Sequence, residues 1–268
     1  MATFTQTYPT DLKYTEWQLI SGFFPGATFG RPQKWEKWQI INGILYVNRT
    51  GCQWRMLPVN FPPWRTVYYY YWRWKGDGLW EQINAVLVKQ VRKKAGRNEQ
   101  PSAAVIDSQS VKTSEGGEER GVDVHKQTPG RKRHLIVDVL GLVLLVMVHS
   151  ASVQDGAGGL LTLQKLFERI KHSLYNRYCR LKLIWADGGY TSIVEKVHKQ
   201  FGWVLEIVKR SDAVKGFKVL PHRWVVERTF GWLGRYRRLA RDYEHTTSSS
   251  ENMVYIASIR RMLKIVAT

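Results

Sequence analysis

A chain of 268 residues with 44% hydrophobic and 13% aromatic side chains has enough apolar mass to bury a core, which excludes a disordered segment. Its 41 lysines and arginines stand against 22 acidic residues, a formal net charge of +19, and such a field attracts polyanions, nucleic acid first among them. Two cysteines, Cys52 and Cys179, at no metal-ligand spacing exclude a zinc finger, and the longest apolar run, Val139 to Val148, has half the length of a membrane span. Free thiols and a start without a basic-then-apolar leader predict a cytoplasmic protein with no membrane partner.

Tyr14 to Phe24, Gln33 to Thr50, Trp64 to Lys75 and Leu79 to Lys94 show helical apolar spacing. The second carries Trp35, Trp38, Ile41, Leu45 and Val47 on one side and stops at Gly51, a natural residue to follow a helix. Pro62-Pro63 opens the third and Gly76-Asp77-Gly78 closes it. Four short helices with tight breaks predict a small all-α, helix-turn-helix-like domain over residues 1–95. In the third helix Arg65, Tyr69 and Arg73 share one face, suited to phosphate contact and base stacking, while the tryptophans of the same stretch serve equally as core. The polar, basic stretch Val91 to Pro101 reads as an interdomain linker.

The periodicity then changes. Ala103 to Asp107 is β-like, Lys112 to Gly130 is a Gly- and charge-rich loop, and His134 to Leu140 with Leu142 to His149 forms a hairpin turning at Gly141. Between loop and hairpin, Arg131-Lys132-Arg133 reads as a DNA-facing group, with plain surface as the alternative. A helix over Gly159 to Leu174, a strand over Leu181 to Ala186, a helix over Ile193 to Phe201 and a strand over Trp203 to Val208 follow. A long helix, Pro221 to Tyr243, and a last one, Asn252 to Val266, complete residues 96–268. Three strands followed by alternating helices and strands predict an α/β domain, a mixed sheet flanked by helices in the order of the ribonuclease-H-like fold.

Three carboxylates stand out by location. Asp107 ends the first β run, Asp187 follows the strand Leu181–Ala186, and Glu227 lies inside the long helix. Acids at the ends of buried strands sit at the rim of a sheet, where α/β proteins bind ligands. Two of them close together repel unless a divalent cation such as Mg²⁺ neutralises them, and paired cations of that kind suit phosphodiester chemistry. Each acid alone has a plainer reading: a turn residue for Asp187, a solvated or salt-bridged side chain for Glu227 with Arg223 at i−4. Between Lys209 and Arg241 there are ten basic residues and two acidic ones, so spacing alone leaves the role of Glu227 open. Val225, Thr229, Trp232, Tyr236 and Leu239 mark the buried stripe of that helix, and Arg223, Glu227, Gly231 and Gly234 an adjacent side flanked by Arg235 and Arg238. Asp155 reads as a loop or cap residue near the site, Trp185 as core or as a base-stacking ring, and His125, His134 and His149 as structural or solvated.

The stretches AVIDSQSVKTS (Ala104–Ser114), WADGGYTS (Trp185–Ser192) and RWVVERTFGWLGRYRRLARDYE (Arg223–Glu244), with GCQWRMLP (Gly51–Pro58) before them, resemble bacterial insertion-sequence transposases of the DDE type, in the group of insertion sequences four and five. The resemblance implies that Asp107, Asp187 and Glu227 are catalytic metal ligands for Mg²⁺ (or Mn²⁺). It implies binding of double-stranded DNA at terminal inverted repeats, cleavage at element ends, transfer of the 3′-OH strand to target DNA, and a homo-oligomer on paired ends. Arg223 matches the arginine of the family's Tyr-Arg-Glu-Lys signature, whereas Leu220 stands at the tyrosine position and Gly234 at the basic one, with Arg235 next to it. The expected DNA contacts are Arg65, Arg73, Arg131, Lys132, Arg133, Arg223, Arg228, Arg235 and Arg238. A ribonuclease-H-like nuclease without strand transfer and a catalytically inactive DNA-binding regulator are the competing readings.

Overall fold

Proline and glycine set the helix ends in the computed structural model, which describes residues 4–26, 34–114, 116–172, 178–208 and 223–268. The amino-terminal helices are α1 (Tyr14–Ile20), α2 (Lys37–Thr50), α3 (Trp64–Gly76) and α4 (Leu79–Lys94). The predicted start of the second helix at Gln33 lies outside the described residues. Gly51 ends α2 at φ +73°, and a Cβ there would lie 3.0 Å from the Cβ of Arg237, so both backbone and space require glycine. α3 starts directly after Pro62-Pro63, and Gly78, also left-handed at φ +65°, turns the chain into α4.

The sheet contains β1 (Ala103–Lys112), β2 (Gly121–Asp123), β3 (Thr128–Asp138), β4 (Val143–Ser150), β5 (Leu183–Ala186) and β6 (Val204–Ile207). Its order is β2-β3-β1-β5-β6, with β4 also alongside β3. β1, β3 and β4 pair antiparallel, and β1, β5 and β6 pair parallel. That is the ribonuclease-H-like arrangement expected from the element order. The predicted loop from Lys112 to Gly130 is shorter than expected, because β1 runs on to Lys112 and β2 pairs with the start of β3.

The remaining helices are α5 (Asp155–His172), α6 (Val194–Phe201), α7 (Trp224–Gly234), α8 (Arg237–Ala240) and α9 (Thr247–Ala267). α5 covers one face of β3 and β4 so closely that a Cβ on Gly158 would lie 2.5 Å from His149 Nε2. On the other face α7 packs on β1 and β3, and Arg133 reaches the Leu239 carbonyl of α8 at 2.7 Å. α9 shields the outer edge of β4, where Tyr255 Oη and Glu251 Oε1 accept the Val146 and Val148 N–H groups. With both faces covered, β3 is buried from Gly130 to Asp138.

Two expectations are corrected here. The stretch read as a linker begins inside α4, and Val91 and Arg92 are buried; Arg92 pairs with Asp138 and donates to the Asn98 carbonyl. The long helix read from Pro221 to Tyr243 breaks: α7 ends at Gly234, Tyr236 is extended, and α8 resumes for one turn. Gly231 and Gly234 weaken helix propensity there, and Arg49 donates at 2.7 Å to the Arg235 carbonyl that the break frees. The amino-terminal helices and the sheet share one hydrophobic core, stitched by Asn48 to the Met253 carbonyl, Asn84 to the Val143 carbonyl and Arg260 to Glu16. Among the described residues no helix is long and apolar enough to cross a membrane.

Candidate active site

Parallel pairing brings the first two acids together. Val105 stands opposite Trp185 in the β1–β5 register, so two residues further on Asp107 lies beside Asp187, just past the end of β5. Asp107 itself does not end its strand as expected but sits in the middle of β1, which runs on to Lys112. Burial pushes the Asp107 carboxyl up to about 6; the Ser108 N–H, donated to its Oδ1 at 2.7 Å, works against this, and the negative charge of Asp187 adds to it. Asp187 caps the 3-10 turn Gly188–Ile193, its Oδ1 accepting the Gly189 N–H at 2.9 Å.

The third acid comes from the opposite layer. Glu227 sits in the first turn of α7 and is half exposed. Arg223, one turn earlier, lies with its Nη2 3.7 Å from Glu227 Oε1 and 3.6 Å from Asp187 Oδ2. The same guanidinium therefore serves as salt-bridge partner of Glu227 and as its link to Asp187. Among the described residues no three His, Cys, Asp or Glu side chains converge closely enough to hold a metal ion in this arrangement. The donor chemistry nevertheless fits one: three carboxylates, without thiol or imidazole, are hard oxygen ligands of the kind Mg²⁺ and Mn²⁺ take.

Several side chains expected to face DNA do not. Arg131 is fully buried and donates to the carbonyls of Glu118, Glu244 and His245, with Asp242 3.5 Å away. Lys132 is buried against Asp155 at 2.9 Å and Asp123 at 3.5 Å. Arg133 is buried beside Asp242, and Arg238 is held by Glu244 at 2.6 Å. The cause is the position of β3 between two helical layers, where either face of the strand points inward. Trp185 is also buried, with its Nε1 donating to Glu206 at 3.2 Å, so it belongs to the core and not to a base-stacking platform. Arg228 is half-buried between the rings of Trp224 and Trp232, at 4.3 and 4.4 Å. Arg65, Arg73 and Arg235 are exposed. Leu220 lies outside the described residues, and at Gly234 a Cβ would meet nothing within 4 Å.

Two further residues stand beside the acids: Asp155, expected near the site as a loop or cap residue, and Tyr190, to which the sequence assigned no role. Asp155 opens α5 and accepts from Ser108 Oγ at 2.8 Å as well as from Lys132. Tyr190 is fully buried, and its phenol is raised well above its ordinary value by burial and then by Asp107, Asp155 and Asp187. The available signal was the serine directly after Asp107.

The chain is similar to several known proteins. Residues 12–84 match a family described as "Putative transposase of IS4/5 family". A "Putative transposase for insertion sequence element IS402" from Burkholderia cepacia is 29% identical over 43% of this chain and 54% of its own length. The "Uncharacterized protein y4sN" of Sinorhizobium fredii is 32% identical over 30% of this chain and 64% of its own. The chain thus spans between about half and two thirds of these curated relatives. The crystal structure of a pre-cleavage Mos1 transpososome aligns over 91% of this chain and 81% of its own at 12% identity, with a TM-score of 0.29, a likeness too slight to carry weight. Residues 98–261, more than half of the chain and including all three acids, match the family "Transposase DDE domain", and the protein belongs to that family of transposases.

Proposed function

We propose that the protein binds the terminal inverted repeats of its element, cleaves DNA at the element ends and joins the freed 3′-OH to target DNA, working as a homo-oligomer on paired ends. The observation that carries this reading is the juxtaposition of Asp107 on β1 with Asp187 at the end of the neighbouring parallel strand β5, with Glu227 linked across to Asp187 by Arg223. Asp107 and Asp187 would hold Mg²⁺ or Mn²⁺, with Glu227 completing the set. A cation there supplies Lewis-acid polarisation of a phosphoryl oxygen and neutralises charge that builds up in the displacement. Arg223 keeps the second and third acids within reach of one another and presents a positive charge where a phosphate would approach. The exposed Arg65, Arg73 and Arg235 and the half-buried Arg228 are the proposed DNA contacts, with residues 1–95 as the part that recognises the ends.

The test is metal-dependent nicking of a labelled duplex carrying the element's own ends, wild type beside Glu227→Gln. The expected result is Mg²⁺-dependent nicking that falls by about a thousandfold or more in the variant, as the loss of several kcal/mol of charge stabilisation requires, with DNA binding retained. A wild type that binds the ends without nicking them would overturn the catalytic reading. Cleavage without joining of a pre-cleaved end would reduce it to that of a nuclease.

A further inference from the structure

Behind the middle of β1, where Asp107 stands, lies a polar chain that the proposed reaction does not use. Asp155 Oδ1 accepts from Ser108 Oγ at 2.8 Å and from Lys132 Nζ at 2.9 Å. Ser108 in turn donates its backbone N–H to Asp107 Oδ1 at 2.7 Å. Lys132, 4% exposed, also donates to the Val153 carbonyl at 2.9 Å and stands 3.5 Å from Asp123, which accepts from Ser110 Oγ at 2.5 Å. A buried ammonium held this way locks β1, β2, β3 and the start of α5 to one another, because each partner removed would leave a charge uncompensated.

Asp155 is close to Asp187 as well. A Cβ on Gly189 would lie 3.1 Å from Asp187 Oδ1 and 3.4 Å from Asp155 Cβ, so the backbone passes closely between the two acids. That backbone gives its N–H to Asp187. Asp155 thus backs the residues that present both strand acids, although the family resemblance assigns it no role.

We propose that Asp155 is a positioning residue of the active site: through Ser108 it fixes the carboxylate of Asp107, and through Lys132 it anchors β3, the strand that pairs with β1 at Asp107. The proposal rests on the metal-site reading above and deepens it. A group that orients a metal ligand typically accounts for about 10- to 100-fold in metal affinity.

Mn²⁺ titrated calorimetrically into the full-length protein, without DNA, separates the possibilities. Asp155→Ala and Ser108→Ala are each expected to weaken Mn²⁺ binding about tenfold, and the double variant to be no weaker than Asp155→Ala alone. Asp155→Asn keeps an acceptor oxygen for the serine and is expected to stay within about threefold of wild type. Asparagine as weak as alanine would overturn the proposal, because the hydrogen bond it keeps from Ser108 would then fix nothing. Unchanged affinity in both alanine variants would overturn it as well. Melting curves accompany the titrations, and if Asp155→Ala unfolds, Ser108→Ala, which removes a single hydroxyl from a strand, decides. A wild type that binds no Mn²⁺ overturns the metal reading and this proposal with it, whereas wild-type binding untouched by the variants overturns the proposal alone.

Discussion

Two basic stretches of this chain have opposite fates. Arg131, Lys132, Arg133 and His134 are consecutive on β3 and all buried, while Arg65 and Arg73, two turns apart on α3, are exposed beside Tyr69 and Trp72, which are 51% and 58% exposed. The difference lies in what stands opposite. β3 runs between α5 on one face and α7 and α8 on the other, so alternation along the strand sends neither face to water. α3 buries only Val67, Tyr71 and Trp74 and leaves its other side to solvent. Arg92, Arg131, Lys132, Arg133, Arg238 and Arg260 are all under 9% exposed. The count of 41 lysines and arginines therefore overstates what the protein can offer to phosphates, because part of it is paired with internal carboxylates, a pairing that the net charge of +19 already includes.

The comparison breaks most visibly at Arg131. Its guanidinium serves three carbonyls and stands near Asp242, all out of water. Arg131→Ala removes one partner of a buried pair and leaves Asp242 with Arg133, 3.9 Å away, and Ser250. The expected cost is about 3–5 kcal/mol of folding stability, measured by urea unfolding. A loss below about 1 kcal/mol, the range of exposed pairs, would mean that the buried stretch behaves like a surface one.

A smaller effect follows from His134. Burial, and then the neighbouring His149 at 2.8 Å, hold its imidazole down at about 3, so the folded protein keeps it neutral. The unfolded chain, with an ordinary value near 6.5, takes up a proton that the folded state refuses. This contribution is intact above pH 6.5 and is lost as pH falls toward 3. Between pH 8 and pH 5 it amounts to about 2 kcal/mol. Asp107, raised to about 6, runs the other way and gains stability on protonation, so wild type alone mixes the two. Urea midpoints at pH 8 and pH 5 for wild type and His134→Gln isolate the histidine: the variant is expected to lose less on acidification. Equal losses in both proteins would show that His134 titrates normally.

Much of the fold was legible because its signals are local. Pro62-Pro63, Gly51 and Gly78 each mark a helix end, and Gly141 turns the β3–β4 hairpin at φ +79°. Asp187 was legible as a strand-end acid, whereas Asp107, expected to end its strand, sits in the middle of β1; bringing the two together needed only the parallel register. What could not be read was contact across layers. Nothing local says that Lys132 meets Asp155, 23 positions away, or that Arg131 meets Asp242, 111 positions away. The break between α7 and α8 was hidden for the same reason, since Arg49 satisfies the carbonyl it frees from a different helix.

The exposed pair gives the smallest effect on folding and the clearest one on binding. Neither Arg65 nor Arg73 has an ion-pair partner among the described contacts, and Arg65 lies over the ring of Trp64 at 5.5 Å. Truncating either to alanine is expected to change stability by no more than about 0.5 kcal/mol, as at other surface positions. If these side chains meet phosphates, each truncation lowers the salt slope of duplex binding by about one unit and weakens binding to all sequences alike. Fluorescence anisotropy of a labelled duplex at several salt concentrations measures both. A slope that stays at the wild-type value, with stability also unchanged, would remove α3 from the DNA-facing surface. The protein would then have to find its phosphate contacts nearer the acids, at Arg223, Arg228 and Arg235.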